Sequence, residues 1–253
     1  MMAQFGSITL RYDSVASTND IGRELAASGA VEGTCVIARE QTLGRGRQGR
    51  FWSSPPGEGL YLSLVLRPQI NAADSTILTL AAAVGVAETF RLDFEVPADI
   101  KWPNDVLVSG HKICGILVES AIQNDRLQYA VMGIGVNVAQ GSFPDDIGIS
   151  ATSLLLETGR RIEPEEFARP MLERLELWYS AVINHPDQVI ERWEQLSSYA
   201  RGGRVGVKSV QGTIEGTTRG LTSRGALILE MDNGETREIV SGEVSLRVVS
   251  AAQ

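Results

Sequence analysis

A seven-residue segment, residues 44–50, contains three arginines and three glycines in a chain whose formal net charge is −8. Arg39 stands shortly before this segment, and Trp52 stands shortly after it. Glycine lets the backbone turn tightly and present its N–H groups, and arginine offers a planar set of donors that fits phosphate and carboxylate groups. The composition therefore favours either a loop that wraps an anionic ligand or an arginine-rich surface turn.

The same segment contains Gly-x-Gly-x-x-Gly, which marks a dinucleotide-binding domain only where a strand precedes it and a helix follows. The apolar, β-branched residues 34–38 suit the strand. Residues 51–57, which follow, end in Pro-Pro-Gly and cannot continue as a helix. This excludes a Rossmann fold, and the sequence contains no Gly-x-x-x-x-Gly-Lys-Ser/Thr phosphate loop.

Composition narrows the function classes. A chain of 253 residues predicts one large domain, or one domain with a small second one. The sequence pI of about 4.9 disfavours broad nucleic-acid binding. Cys35 and Cys114 lie in apolar runs and are expected to be reduced core residues of a cytoplasmic protein. Two histidines are too few for a histidine-based metal site, and we expect no signal peptide, no apolar run that spans a bilayer and no membrane partner.

Periodicity predicts a mixture of strands and helices. Ser17 or Thr18 is expected to cap a helix that ends near Gly29. A second, buried helix is predicted over 77–92, with Gly85 allowing a close packing approach, and further helical pattern runs over 163–200 with a break at Pro186. Strands are predicted at 8–12, 60–66, 99–102, 106–108, 113–119 and 127–138.

Short alternating strands joined by turns follow residues 201–203. They predict a small closed or nearly closed β barrel after a boundary near residue 202. We expect its strands at 204–208, 213–217, 226–230, 236–240 and 244–249.

Four motifs occur in an order that closely resembles the biotin protein ligases (biotin–[acetyl-CoA-carboxylase] ligases). They are residues 44–50, the Lys-Trp-Pro-Asn-Asp run at 101–105, Lys112 with 115–119, and 133–137. The Ser-Thr-Asn triplet at 17–19, Gln41 and residues 242–247 also resemble this family, so the resemblance covers nearly the whole chain.

The resemblance implies an α+β fold. A catalytic domain with a mixed sheet and helices on one face, like that of class II aminoacyl-tRNA synthetases, would occupy residues 1–202. A small SH3-like β barrel would occupy 203–253. The implied reaction has two steps. The carboxylate of biotin attacks the α-phosphate of ATP to give biotinyl-AMP and pyrophosphate, and a lysine amine of a carrier protein then attacks the mixed anhydride and releases AMP.

The resemblance also implies site residues. Catalysis needs positioning and preset positive charge rather than a protein nucleophile, and is assigned to Lys112, Arg47 and Asp105. Trp52 is expected to cover the adenine, with burial in the core as the alternative. The implied biotin-binding residues are Ser17, Thr18, Asn19, Gln41, Arg45, Gly46, Arg47, Lys112 and Gly115. The implied ATP- and adenylate-binding residues are Arg47, Arg50, Trp52, Asn104, Asp105, Lys112 and Asn137.

ATP, biotin and Mg²⁺ are the expected small molecules, although the sequence identifies no metal ligands. The expected partner is the biotin carboxyl carrier protein of an acetyl-CoA or other acyl-CoA carboxylase. The Ser17 motif comes too early to leave room for the winged helix of regulatory members, so we expect no DNA binding. The arginine loop is expected to act as a lid over the water-sensitive anhydride. An exposed sheet edge would allow a homodimer.

Two alternatives stay open. A lipoate or octanoate ligase shares the fold and the adenylation chemistry, although the complete arginine loop and the 101–105 run argue against it. A non-catalytic protein could use the basic loop to bind RNA or another anion. The acidic chain lacks a basic face interleaved with aromatic residues, which argues against this second alternative.

Overall fold

A seven-stranded mixed sheet forms the main layer of the protein. The computed structural model describes residues 4–144, 150–209 and 212–246. The strand order is β1-β2-β3-β7-β6-β5-β4, in which β1 and β2 are parallel and the other neighbours are antiparallel. The strands are β1 Thr9–Val15, β2 Cys35–Gln41, β3 Gly59–Leu66, β4 Asp99–Lys101, β5 Asp105–Val108, β6 His111–Gln123 and β7 Arg126–Asn137.

The two faces of this sheet pack against different helices. The leucines at positions 60, 62, 64 and 66 of β3 belong to the large core, which includes residues from α2 (Thr76–Asp93), α4 (Pro164–Asn184) and α5 (Pro186–Gln195). Val65 points to the other face, where it packs with Ala26 of α1 (Thr18–Ala27). A strand places successive side chains on opposite faces, so one strand serves both layers. The predicted helical layer is therefore α2, α4 and α5, whereas α1 shares its face with the candidate site.

Helix α2 is buried on most of its surface, as its sequence predicts. A Cβ added at Gly85 would lie 3.2 Å from a Leu175 side-chain carbon, so this glycine permits the close approach of α4. By length and composition, residues Ala72–Asp93 could cross a membrane, so the expectation that no apolar run is long enough was wrong. However, 72% of the 18-residue apolar stretch within this helix is buried inside the protein, as in the core helix of a folded domain.

A second sheet follows, with the order β11-β10-β9-β8-β12 and antiparallel pairing throughout. Its strands are β8 Arg201–Ser209, β9 Gly212–Leu221, β10 Leu227–Glu230, β11 Thr236–Ile239 and β12 Glu243–Leu246. The predicted boundary between 202 and 203 falls within β8. The predicted strand end at 247–249, including Arg247, lies outside the described residues. A short helix, α3 (Leu154–Thr158), completes the described elements of regular structure apart from two single 3₁₀ turns.

The second sheet packs directly against the first unit. Trp102 is 1% exposed, and its Nε1 donates a hydrogen bond of 3.0 Å to the carbonyl oxygen of Gly225. Val205, Leu227 and Val244 belong to the same continuous core as α2. The second sheet is therefore fixed beside the 101–105 segment, which borders the candidate site.

Substituting Trp102 with phenylalanine should destabilise the protein more than the same change at Trp193. Both tryptophans are fully buried, but Trp193 Nε1 has no hydrogen-bond partner within the described part of the chain. Trp102→Phe leaves the Gly225 carbonyl without its donor, so its loss in free energy of unfolding should exceed that of Trp193→Phe by about 1–3 kcal/mol. Denaturant unfolding of the two variants measures the difference, and equal losses would contradict this account.

Candidate active site

A cleft opens on the face of the sheet that carries α1. It lies between the arginine loop (residues 44–50), with the following Trp52, and the segment 101–105. Gln48 at a φ of 56° and Gly49 at a φ of 74° let the loop make a single 3₁₀ turn at Arg47–Gly49. The predicted site residues that line the cleft are Ser17, Thr18, Asn19, Gln41, Arg45, Gly46, Arg47, Arg50, Trp52, Asn104, Asp105, Lys112 and Gly115.

Two lysines flank one carboxylate at the centre of the cleft. The Nζ of Lys112 lies 2.7 Å from Oδ1 of Asp105, and the Nζ of Lys101 lies 3.6 Å from its Oδ2. The tight turn at Ser109 and Gly110, both with positive φ, sets Lys112 at the start of β6 beside β5, where Asp105 begins. Lys112 is 32% exposed, so it is a positioned ammonium group rather than a freely solvated lysine. The trio carries a net positive charge.

Asn104 connects the arginine loop to the sheet. Its Nδ2 donates a 2.9 Å hydrogen bond to the carbonyl oxygen of Ile116, and its Oδ1 accepts a 3.2 Å bond from Nη1 of Arg47. Ordinary turn chemistry is the default for an asparagine at this point of a chain. The side chain instead joins three segments, so the position of Arg47 depends on it.

A buried polar pocket occupies the end of the cleft beside α1. Gln41 accepts hydrogen bonds from the backbone N–H and hydroxyl of Thr18 at 2.9 and 3.1 Å, and it donates to the Ser54 hydroxyl at 2.9 Å. The Ser63 hydroxyl lies 2.6 Å from Oδ1 of Asn19. Ser17 is the N-cap residue of α1 but makes no side-chain capping bond. The pocket therefore holds rigid donors and acceptors at the positively polarised start of a helix.

Arg45, which lines the cleft, is held in place by two carboxylates. Its guanidinium lies 2.8 Å from Asp20 and 3.2 Å from Glu119, and Asn19 also donates to Glu119 at 2.7 Å. Burial alone would lower the pKa of Arg45, but the bonds to the two carboxylates raise it. The side chain thus anchors the loop to α1 and β6.

Three glycines form the floor beneath Trp52 and Asn19. A Cβ at Gly133 would lie 2.2 Å from Oδ1 of Asn19, and a Cβ at Gly135 would lie 2.4 Å from Nε1 of Trp52. At Gly115 a Cβ would meet Trp52 at 2.9 Å. These contacts are closer than any side chain permits, so the absence of Cβ atoms is what lets both residues lie on the sheet. Trp52 is therefore a wall of the site and does not belong to the large core.

A second cavity adjoins the first across Trp52 and Lys112. Both residues line both cavities, and the ammonium of Lys112 lies 5.2 Å from the Trp52 ring centroid. Asn137, the remaining predicted site residue, lines the second cavity together with Gln140 and Phe143. The arrangement offers two compartments joined at one ammonium group.

The cysteines take no part in the chemistry of the cleft. Burial raises the pKa of the Cys35 thiol to about 12, and burial also raises the pKa of Cys114. Both thiols are free and lie in the large core. They stay protonated at neutral pH, which excludes either one as a nucleophile.

Comparisons with known proteins match this architecture. Residues 12–137 match the Biotin/lipoate A/B protein ligase family, and residues 202–247 match the Biotin protein ligase C terminal domain. A Biotin--[acetyl-CoA-carboxylase] ligase of Paracoccus denitrificans is 36% identical over 84% of this chain and 90% of its own length. The chain belongs to the biotin protein ligase family.

Other members of this family agree in sequence and in structure. The Bifunctional ligase/repressor BirA of Bacillus spizizenii is 37% identical over 95% of this chain and 74% of the relative. The biotin protein ligase of Aquifex aeolicus, solved in complex with biotin and ATP, superposes with a TM-score of 0.81. It is 32% identical and the match covers 95% of this chain and 99% of the solved one. The predicted α+β fold is thereby confirmed, and the second sheet is consistent with the SH3-like barrel.

Sequence reasoning missed four residues of this biotin protein ligase family member. Lys101 lay in a quoted motif but was given no role, although it faces Asp105. Glu119 ended the quoted 115–119 motif but was also given no role, whereas Ser63 reaches the site through strand pairing and had no local signal. Gln140 follows the quoted 133–137 motif by three residues, which was the available clue, and it lines the second cavity.

Proposed function

We propose that this enzyme activates biotin as biotinyl-AMP with ATP and transfers it to a lysine of a biotin carboxyl carrier protein. The supporting observation is the position of Lys112, which Asp105 holds at the junction of the two cavities. An ammonium at that junction can touch an acid tail from one compartment and a phosphate from the other. The positive charge is in place before the substrates meet, so little reorganisation is needed when charge develops on the phosphoryl oxygens.

The biotin compartment is the polar pocket beside α1. Ser17, Thr18, Asn19 and Gln41 would hydrogen-bond the ureido ring, and Gly115 would leave room for the aliphatic part. The carboxylate would then reach Lys112 and the backbone around Arg45 and Gly46. Arg45 contributes by holding the loop through Asp20, so its side chain is an anchor in this proposal.

The nucleotide compartment is the second cavity. Trp52 would cover the adenine, and Asn137 lies at the end of β7 beside it. Arg47 and Arg50 would neutralise the phosphates, with Asn104 orienting Arg47. Mg²⁺ enters with ATP as part of the substrate. Within the described ranges no group of three or more His, Cys, Asp or Glu side chains could hold a metal, and Mg²⁺ typically uses only one or two carboxylates plus phosphate oxygens.

Several features of the whole protein belong to the same proposal. The arginine loop orders over the anhydride and excludes water until the carrier lysine arrives.

The carrier is a subunit of acetyl-CoA carboxylase or another acyl-CoA carboxylase. Residues 1–202 and 203–253 are the two domains of the enzyme. We place the enzyme in the cytoplasm because its two cysteines are free and buried. The sheet edge at β1 offers a surface for a homodimer, whereas the backbone of Ile100 in β4, at the opposite edge, already bonds to Leu196 and Ser197.

Pyrophosphate release with biotin or lipoate as the acid tests the function. We expect release with MgATP and biotin, a bound product with the mass of biotinyl-AMP, and AMP release when a carrier protein is added. Preference for lipoate would overturn the biotin assignment. No ATP-dependent turnover with either acid would instead favour an anion-binding protein without catalysis.

Gly133→Ala should weaken biotin binding on the order of tenfold to a hundredfold. The new Cβ would push Asn19 away from Ser63 and Glu119, and displacements of about 1 Å in a positioned group can cost on that scale. Calorimetric titration with biotin measures the effect. Gly141→Ala is the matched control, because no heavy atom lies within 4 Å of a Cβ built there. Equal affinities in the two variants would contradict the role of the glycine floor.

A further inference from the structure

One carboxylate oxygen joins the polar pocket beside α1 to the arginine loop. The Oε2 atom of Glu119 accepts a 2.7 Å hydrogen bond from Nδ2 of Asn19 and a 3.2 Å bond from Nη2 of Arg45. Asn19 belongs to the pocket, Arg45 belongs to the loop, and both line the cleft. Because the two donors share one acceptor atom, a movement of either donor changes the bond that the other one makes.

The amide of Asn19 has a fixed orientation. Its Oδ1 lies 2.6 Å from the Ser63 hydroxyl, and its Nδ2 lies 2.7 Å from Glu119 and 3.4 Å from the carbonyl oxygen of Leu117. The latter two groups are acceptors only, so they require the donor end of the amide. Asn19 is 3% exposed, and its side chain is therefore fixed between β3 and β6. Any ligand that bonds to this amide acts directly on the position of Glu119.

The ion pairs that tether the loop are partly open to solvent. The side chains of Glu119 and Arg45 are 27% and 35% exposed, and the second partner of Arg45, Asp20, is exposed to a similar degree. Arg23 lies 3.8 Å from the other oxygen of Glu119. Water and salt screen charges at this exposure, so such pairs contribute little unless their geometry is fixed. The bond from the buried Asn19 fixes that geometry by directing the Glu119 carboxylate at Arg45.

We propose that Glu119 is a positioning residue that transmits the occupancy of the biotin pocket to the arginine loop. This inference rests on the proposed function, in which the ureido ring of biotin bonds to Asn19. Bound biotin holds Asn19 in one orientation, Asn19 holds the Glu119 carboxylate toward the loop, and Arg45 then loses less freedom when the loop closes. A contact that is already ordered for one ligand lowers the cost of ordering the next element.

Hydrogen exchange of the backbone amides in residues 44–50, with and without saturating biotin, tests this link. Wild type should exchange these amides about tenfold more slowly with biotin bound, within the usual size of coupling between two sites. In Glu119→Gln the ratio of the two rates should fall about fivefold, because a neutral acceptor replaces a charged one. A purely structural loosening of the loop would raise both rates and leave the ratio unchanged.

Glu24→Gln is the matched control, because Glu24 is exposed on α1 and the variant removes the same charge from the same face of the sheet. It should keep the wild-type ratio. Exchange in the buried helix α2 reports separately whether each variant is folded.

The wild-type ratio in a folded Glu119→Gln would overturn the inference. Equal exchange of the loop with and without biotin in wild type would also overturn it, even if Glu119→Gln did not fold. In both cases biotin-dependent pyrophosphate release would continue, so the proposed function would stand. Calorimetry that shows no binding of biotin to wild type would overturn the proposed function and this inference together.

Discussion

Replacing Lys112 with alanine should lower biotin-dependent pyrophosphate release by about 10²–10³-fold, the usual cost of losing a preset charge at a developing anion. The ammonium lies 2.7 Å from Asp105 and borders both cavities, so its removal takes away the group placed to touch both substrates. Because the interaction strengthens in the transition state, kcat and kcat/KM should fall together. Lys112→Arg should restore little of the lost rate of pyrophosphate release, since a planar guanidinium differs in width and geometry from a compact ammonium.

Lys208→Ala provides the control for this substitution. Lys208 is exposed on β8, so the variant removes the same side chain from the same protein without changing the cleft. It should retain wild-type rates. Unchanged turnover by Lys112→Ala would defeat the proposed mechanism and would favour an anion-binding protein in which the loop serves no catalytic purpose.

Arg47→Gly should let biotinyl-AMP escape into solution while adenylate formation is partly retained. Arg47 ties the arginine loop to Asn104 through a 3.2 Å bond, and the added glycine increases the freedom of the loop. A hydrogen bond to a charged group contributes about 1.5–3 kcal/mol, so released adenylate should rise roughly tenfold to a hundredfold. Chromatography of the free intermediate during turnover measures the change.

The matched control for loop release is Arg160→Gly. Arg160 is exposed just beyond the end of α3, so this variant removes an arginine and adds a glycine far from the candidate site. Its free adenylate should equal that of wild type. If Arg47→Gly also retained its adenylate like wild type, the loop would not be a lid.

Much of the fold could be predicted because periodicity follows burial. The alternating leucines of β3 and the apolar sequence of α2 identified buried elements directly. Strand pairing was less accessible, since the parallel partner of β1 is β2, with α1 between them in sequence. The sequence also did not predict that α1 packs on the opposite face of the sheet from α2, α4 and α5. Tyr61, Ser63 and Val65 are buried as well, so every residue of β3 is covered and the pattern alone does not separate the two faces.

The motifs predicted which residues belong to the candidate site, but they did not predict the contacts between those residues. Sequence placed Lys112 and Asp105 in one hairpin, but the strand register pairs Lys112 with Leu107 and Asp105 with Gly115, so their ion pair depends on the register shift between these positions. The sequence around each residue did not predict the 3.2 Å ion pair between Glu119 and Arg45, because the two residues are 74 positions apart. The contact of Arg45 with biotin stays a prediction, and the structure adds an anchoring role for its side chain. Long-range pairing of this kind depends on strand order, which composition does not encode.

The opposite orientation of neighbouring residues along β3 and β7 has a consequence for engineering. Leu62 and Ile134 stabilise the fold from one side, while Ser63 and Gly133 shape the binding surface from the other. A mutagenesis library confined to the second set would retune substrate choice while leaving the large core intact. Changes in the first set would alter expression and solubility instead, so the two kinds of variant can be separated before any assay is run.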